Sequence, residues 1–131
     1  MKDNCPCGSN VPYQKCCREF HKDGGCKTAL QLMKSRYSAY AKNLPLYIIK
    51  TSHPDNPSFQ EDRLLWIREL QEFCQKTSFK KLEIVSSKEE GKEGWVHFKA
   101  YLRHEEDFIL EENSYFLKEG NDWLYVRDSG A

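Results

Sequence analysis

The chain has 131 residues, the size of one ordinary domain with a small additional module. Hydrophobic residues make up 39% and aromatic residues 13%, enough for a core, and no apolar run is long enough to span a membrane. The formal net charge is zero, but residues 1–50 hold nine Lys or Arg against three Asp or Glu, and the remainder is acidic. A positive surface for an acidic partner and simple solvation of both charged parts are equally compatible with this pattern.

Four cysteines stand near the start of the chain as two close pairs, Cys5 with Cys7 and Cys16 with Cys17. Zinc takes about four ligands in a tetrahedron and suits thiolates. The stretch around the cysteines is too small and too polar to fold by apolar burial, so a metal would also supply its folding energy. The pattern therefore predicts a Zn²⁺ site with these four cysteines as ligands.

Alternatives to this ligand set stay open at the level of the sequence. Disulfides need an oxidising compartment, and the first residues contain no apolar stretch typical of a signal peptide, so we expect reduced thiols in the cytoplasm. Adjacent cysteines strain a metal site, and His21 or Cys26 lies close enough in sequence to replace Cys17. A redox or zinc-storage role for the thiols is a further reading.

The spacing C-x-C-x8-C-C, with Pro6, Gly8 and Tyr13 in place, resembles the SEC-C motif. That motif is the zinc-binding tail of the SecA preprotein translocase and occurs on many small bacterial proteins. Agreement runs over residues 4–18, except that the family usually has Gly-Lys-Lys or similar where this chain has residues 10–12, Asn-Val-Pro. The resemblance implies docking on an acidic protein, such as a chaperone, or on a ribosome.

Residues 18–27 predict a linker broken at Gly24 and Gly25, and helical segments follow it. Thr28 with Gln31 is a capping-box pattern, so we expect a helix that begins there and ends at residues 43–45. Its apolar stripe would consist of Leu30, Met33, Tyr37, Tyr40 and Ala41. Its solvent face would hold Lys27, Gln31, Lys34, Ser38 and Lys42.

A short helix or turn is predicted over residues 46–52. A second capping box, Ser58 with Glu61, predicts a third helix over about residues 59–75. The buried arc of that helix would comprise Phe59, Trp66, Ile67, Leu70, Phe73 and Cys74. On this arc Cys74 is interpreted as a small core residue.

From residue 79 onward the hydrophobic period changes to two, which indicates strands. We expect four strands, over residues 79–86, 95–103, 108–118 and 123–128. In the second strand one face would hold Val96, Phe98, Ala100 and Leu102. Helices followed by an antiparallel meander predict an α+β fold with the helices on one face of the sheet.

Further segments are similar to the YchJ family of bacterial proteins; they cover residues 32–40, 51–54, 112–116 and 123–130. Members of that family join an N-terminal SEC-C motif to a nuclear transport factor 2-like domain. The resemblance implies a SEC-C zinc-binding motif over residues 1–22 and a nuclear transport factor 2-like domain over residues 23–131. In that domain three helices would pack on a curved antiparallel sheet and enclose a cavity, as in a cone.

Candidate polar residues for the cone cavity are Arg36, Tyr40, His53, His97, Tyr101 and Glu112. A histidine and a carboxylate on neighbouring strands could perform general acid–base chemistry. The non-catalytic interpretation places His97 and Tyr101 on a solvated surface of the sheet. It gives Arg36 a structural role, stacked on tyrosines and paired with Glu112. The family often has His-Glu-Arg-Ser where this chain has residues 111–114, Glu-Glu-Asn-Ser.

The sequence therefore predicts a cytoplasmic zinc-binding protein that docks an acidic protein or a ribosome, with no assigned catalytic residue. The alternative is a small-molecule-binding enzyme that uses the cone cavity. No Gly-rich phosphate loop and no Gly-x-Ser-x-Gly motif is present in the sequence. A homodimer through the open sheet face is a further expectation from the superfamily.

Overall fold

A computed structural model describes residues 4–129 of the chain and has the predicted α+β architecture. A single 3-10 turn, Tyr13–Lys15, precedes four helices: α1 (Cys17–Asp23), α2 (Ala29–Ala41), α3 (Pro45–Lys50) and α4 (Arg63–Lys76). Four strands follow: β1 (Ser78–Glu90), β2 (Glu93–His104), β3 (Glu106–Glu119) and β4 (Asp122–Asp128). The strands pair antiparallel in sequence order, which makes one meander. The helices α2 to α4 and this sheet form the cone.

The linker predicted over residues 18–27 is wrong in its first part. Helix α1 continues to Asp23, and Gly24 and Gly25 then adopt positive φ angles of 71° and 82°, which end the helix and turn the chain. Phe20 on α1 packs against the core of the cone, so the helix anchors the N-terminal stretch. The predicted boundary between the two parts of the chain, at residues 22 and 23, stays a prediction. Residues 1–3 and 130–131, at the outer ends of these parts, lie outside the described residues.

Helix α2 begins where the capping pattern predicts. The Thr28 hydroxyl accepts a hydrogen bond from the Gln31 backbone N–H at 3.0 Å, and the Gln31 side chain accepts one from the Lys27 N–H at 2.7 Å. Its predicted solvent face is partly wrong, because Ser38 is fully buried. Helix α2 packs against α1, α3 and the sheet, so several of its sides are covered.

The predicted start of the third long helix is also wrong. Helix α4 begins at Arg63, four residues later, because the Asp62 carboxylate caps it by accepting from the Leu65 N–H at 3.1 Å. Ser58 lies in a turn instead, where its N–H donates to the Asn56 side chain. Trp66 and Cys74 are buried as predicted. The remaining members of the predicted arc, Phe59, Ile67, Leu70 and Phe73, are half-buried or exposed.

The sheet confirms the period-two pattern with longer strands than predicted. On β2, the predicted face of Val96, Phe98, Ala100 and Leu102 is buried beneath the helices. Gly94 permits the start of α2 to approach this face, since a Cβ there would lie 2.7 Å from the Cβ of Ala29. The described residues contain no helix long and apolar enough to cross a membrane.

Candidate metal centre and cone cavity

The two cysteine pairs meet because two tight local structures face each other. The Cys5 N–H donates to the Val11 carbonyl at 2.8 Å and the Gly8 N–H donates to the Cys5 carbonyl at 3.2 Å, which folds the first pair into a turn. The 3-10 turn at Tyr13–Lys15 then leads directly into Cys16 and the first residue of α1. The four sulfurs of Cys5, Cys7, Cys16 and Cys17 lie within 4.8 Å of one another.

This spacing fits a tetrahedral metal site. With metal–sulfur bonds of about 2.3 Å, the sulfurs of such a site stand roughly 3.8 Å apart. The Cys7 and Cys16 sulfurs are 3.6 Å apart, far beyond the bond length of a disulfide, and all six cysteines are free thiols. Cys5, Cys7 and Cys17 are buried and Cys16 is half-buried. The cluster could hold a metal ion, because its donor type, sulfur spacing and burial are those of a metal site.

The electrostatics of the cluster point the same way. A hydrogen bond from the Cys17 thiol lowers the pKa of Cys7 to about 4. The same hydrogen bond, together with burial, raises the pKa of Cys17, and burial raises that of Cys16. In the absence of a cation, ionisation of one thiol is therefore favoured. Ionisation of a second thiol is disfavoured, because the two negative charges would repel each other. A divalent cation overcomes that repulsion and lets all four sulfurs ionise.

The two alternative ligands are engaged elsewhere. His21 holds the Tyr13 hydroxyl at its Nδ1 and the Ser35 carbonyl at its Nε2, both at 2.7 Å. The Cys26 sulfur lies 3.7 Å from both the Ser35 hydroxyl and the Tyr47 hydroxyl, in the core of the cone. Neither belongs to the group of four sulfurs. The geometry therefore favours Cys17, and the four-cysteine ligand set stays a prediction until a metal is measured.

Two hydroxyl groups contact the sulfurs from outside. Ser9 lies 3.2 Å from the Cys16 sulfur, and Ser38 lies 3.2 Å from the Cys5 sulfur. Such partners orient metal ligands and tune their basicity. The sequence analysis missed Ser38, although a usable signal exists. Ser35 and Ser38 are small residues one turn apart, as at a close helix contact.

The cone contains a cavity of about 330 Å³ between α2, α4 and the concave face of the sheet. Arg36, Tyr40 and Glu112 line it, as predicted. His97 and Tyr101 do not, because they project from the opposite face of β2 and bond the carboxylates of Glu111 and Glu83. His53 does not line it either. It is buried after α3, where its Nδ1 accepts from the Asp55 N–H at 3.0 Å.

Arg36 has the buried, ring-stacked position that the structural interpretation expects. Its Cζ lies 4.7 Å from the centre of the Tyr125 ring, and its Nη1 donates to the Ile48 carbonyl at 2.9 Å. The expected ion pair with Glu112 is wrong, since no contact within 4.0 Å joins the two groups among the described residues. The two charges line the same cavity without touching.

Comparison with known proteins finds two family models along the chain. Residues 28–128 match the family model described as YchJ, middle NTF2-like domain, and residues 1–19 match the SEC-C motif. A UPF0225 protein of Vibrio parahaemolyticus is 37% identical over 96% of this chain and 74% of its own length.

Two solved structures are similar over nearly the whole chain. A SEC-C motif containing protein from Rhodopseudomonas palustris superposes with a TM-score of 0.83 at 28% identity, covering 98% of this chain and 99% of that one. A second such protein, from Psychrobacter arcticus, gives a TM-score of 0.76 at 25% identity, covering 97% of this chain and 82% of that one. These matches support the architecture described above.

Proposed function

The chain belongs to the YchJ family, and on that premise we propose that it is a cytoplasmic zinc-binding protein that docks an acidic partner. The single observation that carries the proposal is the group of four close sulfurs. An all-sulfur, mostly buried donor set suits Zn²⁺ among common cellular cations, and its closed character suits a structural rather than a catalytic metal. Cys5, Cys7, Cys16 and Cys17 would hold the ion, which would stabilise the N-terminal stretch.

A groove beside the metal centre supports the acidic partner. Arg18 and Lys22 of α1 line one side of it, while Leu46 and Ile67 supply apolar surface from α3 and α4. Leu46 is 64% exposed and so presents apolar surface to solvent in this groove. Among the described residues no Asp or Glu lines this groove. A segment with carboxylates and a large apolar side chain complements it, and the phosphates of a ribosome are the alternative acidic surface.

Native mass spectrometry of the protein purified without added metal is the test of the metal. We expect one zinc per chain in the wild type, and no zinc after Cys16→Ser with Cys17→Ser. A Cys26→Ser variant is the control, because this thiol lies outside the cluster. A chain that carries no metal, or that keeps zinc after the double substitution, contradicts the proposal. A dimer mass would support the homodimer expected from the superfamily.

The docking step has its own test. Affinity capture with the zinc-loaded protein is compared with an Arg18→Glu, Lys22→Glu variant, and Lys99→Glu on the far sheet face is the control. A partner that docks through the groove should bind the wild type and the Lys99→Glu variant. It should not bind the Arg18→Glu, Lys22→Glu variant or the Cys16→Ser, Cys17→Ser variant. If no protein or ribosomal component shows that pattern, the adaptor role fails while the metal site stands.

A second candidate function is the small-molecule-binding enzyme, which the cone cavity favours. Of the six polar residues predicted for the cavity, Arg36, Tyr40 and Glu112 line it, and no histidine does so among the described residues. A histidine–carboxylate pair for proton transfer is therefore not supported, and binding is the better supported use of the cavity. Turnover of a bound molecule would be needed to favour the enzyme.

A further inference from the structure

The cone cavity is divided into a large apolar part and one polar end. Phenylalanines form much of the apolar wall, contributed by α4 and three strands: Phe73, Phe79, Phe98 and Phe116. Arg36, Tyr40, Glu112 and Tyr125 lie at the polar end. The wall thus offers ring contacts to a flat apolar body, and Arg36 and Glu112 supply the charged groups of the cavity.

The positive group of the polar end is fixed in place. Arg36 is 7% exposed, and its Nη1 donates to the Thr51 hydroxyl at 2.7 Å and to the Ile48 carbonyl at 2.9 Å. That nitrogen also faces the Ser52 hydroxyl at 3.3 Å, and the Tyr40 hydroxyl is a further hydrogen-bond partner of the guanidinium. A guanidinium has five N–H donors, so donors remain for a bound group.

The negative group is fixed as well. One carboxylate oxygen of Glu112, Oε2, accepts from the Ser114 hydroxyl at 2.5 Å and from the Tyr125 hydroxyl at 3.0 Å. The second oxygen has no protein donor among the described residues. Since Arg36 and Glu112 do not pair directly, a donor and an acceptor of opposite charge stand preorganised at the same end.

We propose that the cone cavity binds a compact, uncharged aromatic molecule with one hydroxyl or amide group, which sits at the end formed by Arg36 and Glu112. Such a group can donate to the carboxylate and accept from the guanidinium at once. A carboxylate or an ammonium on the ligand would satisfy one of these charges and be repelled by the other. The proposal extends the second candidate function by naming the ligand class, and it is independent of the metal centre.

Size and access agree with this class of ligand. About 330 Å³ lies at the lower end of the range for small-molecule sites, which suits a molecule of one or two rings. Phe73 on α4 and Leu110 on β3 both line the cavity and are 40% and 41% exposed. Parts of the cavity wall are therefore open to solvent.

Three probes with one skeleton test the ligand class: 2-naphthol, 2-naphthoate and 2-naphthylmethylammonium. They are titrated into the full-length, zinc-loaded protein at neutral pH, and binding is followed by amide chemical shifts in NMR. We expect 2-naphthol to bind at least tenfold more tightly than either charged probe and to shift the amides around Arg36 and Glu112. Equal binding of all three, or no binding of 2-naphthol at its solubility limit, overturns the proposal.

A substitution at the polar end tests the role of the carboxylate. Glu112→Gln should weaken 2-naphthol binding about tenfold and improve 2-naphthoate binding, because the guanidinium is then the only charge there. Glu111→Gln is the matched control, since this neighbour projects from the opposite face and bonds His97. If Glu112→Gln does not fold, Ala100→Phe, which fills the cavity from the sheet, should abolish naphthol binding. Unchanged affinities in a folded variant overturn the proposal, whereas binding without turnover removes only the enzyme candidate.

Discussion

The Ser38 hydroxyl lies 3.2 Å from the Cys5 sulfur, so a fully buried side chain in the last turn of α2 contacts the cysteine cluster. A serine hydroxyl can donate one hydrogen bond to a thiolate, which stabilises the ionised form that a metal requires. The cysteine cluster is therefore packed against the cone and is not an independent module. Its local turns bring the four sulfurs together, and the cone supplies part of their surroundings.

Replacing Ser38 by alanine should lower the affinity for zinc by about tenfold or more, since outer-shell partners of metal ligands have effects of that size. Competition with a chromophoric zinc chelator measures the change. Ser35→Ala is the matched control, because Ser35 is equally buried on α2 and its hydroxyl bonds Leu32 and Tyr47 instead of a cluster sulfur. Equal affinities of the Ser38 and Ser35 variants would contradict a direct role of Ser38.

The cysteine cluster was predictable because its information is local. Two pairs separated by a short loop can close a tetrahedron whatever the rest of the chain does. The contribution of Ser38 was not predictable from the helical period, which assumes that a helix has one covered face. Helix α2 is covered by the N-terminal stretch, by α3 and by the sheet. A polar residue opposite the apolar stripe is then buried against a second partner.

The cone cavity shows a different limit of the sequence. Period-two alternation placed Val96, Phe98, Ala100 and Leu102 on one face, and the structure confirms that face. The alternation alone does not predict whether Glu112 of β3 lies on the same face of the sheet as His97 or as Phe98, because that depends on the register between β2 and β3. In the structure Phe98 pairs with Glu112, which sets the carboxylate inside and His97 outside.

His21 should be neutral and carry its proton on Nε2. A carbonyl oxygen only accepts, so the 2.7 Å contact with Ser35 makes Nε2 the donor and leaves Nδ1 to accept from the Tyr13 hydroxyl. Burial lowers the pKa of His21 below its usual value. An NMR titration of the imidazole should therefore give a pKa below about 6.5 and the Nε2–H tautomer. A higher value, or the Nδ1–H form, would contradict this arrangement.

The lowered pKa of His21 also links stability to pH. As pH falls below about 6.5, the unfolded chain takes up this proton before the folded chain does, which favours unfolding. The contribution is complete above that pH and is lost as pH falls towards the folded-state pKa. Release of a metal from the proposed cysteine site would add its own acid dependence, so His21→Gln is measured in parallel under the same metal conditions. Its unfolding free energy should fall less steeply below pH 6.5 than that of the wild type.

Arg36 should be required for stability. Replacing it by methionine removes the charged donor shared by the Ile48 carbonyl and the Thr51 and Ser52 hydroxyls, which keep only their weaker neutral hydrogen bonds within α3 and the residues after it. We expect a loss of about 2–4 kcal/mol in the free energy of unfolding, measured by urea denaturation. Arg68→Met on the exposed side of α4 is the control and should change stability little. Equal midpoints for the two variants would show that the buried guanidinium is dispensable.

Gly94 should be intolerant of a side chain because of its contact with helix α2. A Cβ at this position would lie 2.7 Å from the Cβ of Ala29 and 3.2 Å from the Trp123 ring. Gly94→Ala must therefore displace the start of α2 or the strand, and we expect a loss of about 1–3 kcal/mol in unfolding free energy.

A double-substitution cycle identifies the cause of that loss. Adding Ala29→Gly removes the nearer of the two contacts at a cost of about 1 kcal/mol or less by itself. The double variant should then be more stable than the sum of the single effects implies, because the two residues no longer collide. Recovery should be incomplete, since the Trp123 ring remains close. Strict additivity would mean that Gly94 matters for its own backbone and not for the approach of α2 to the sheet.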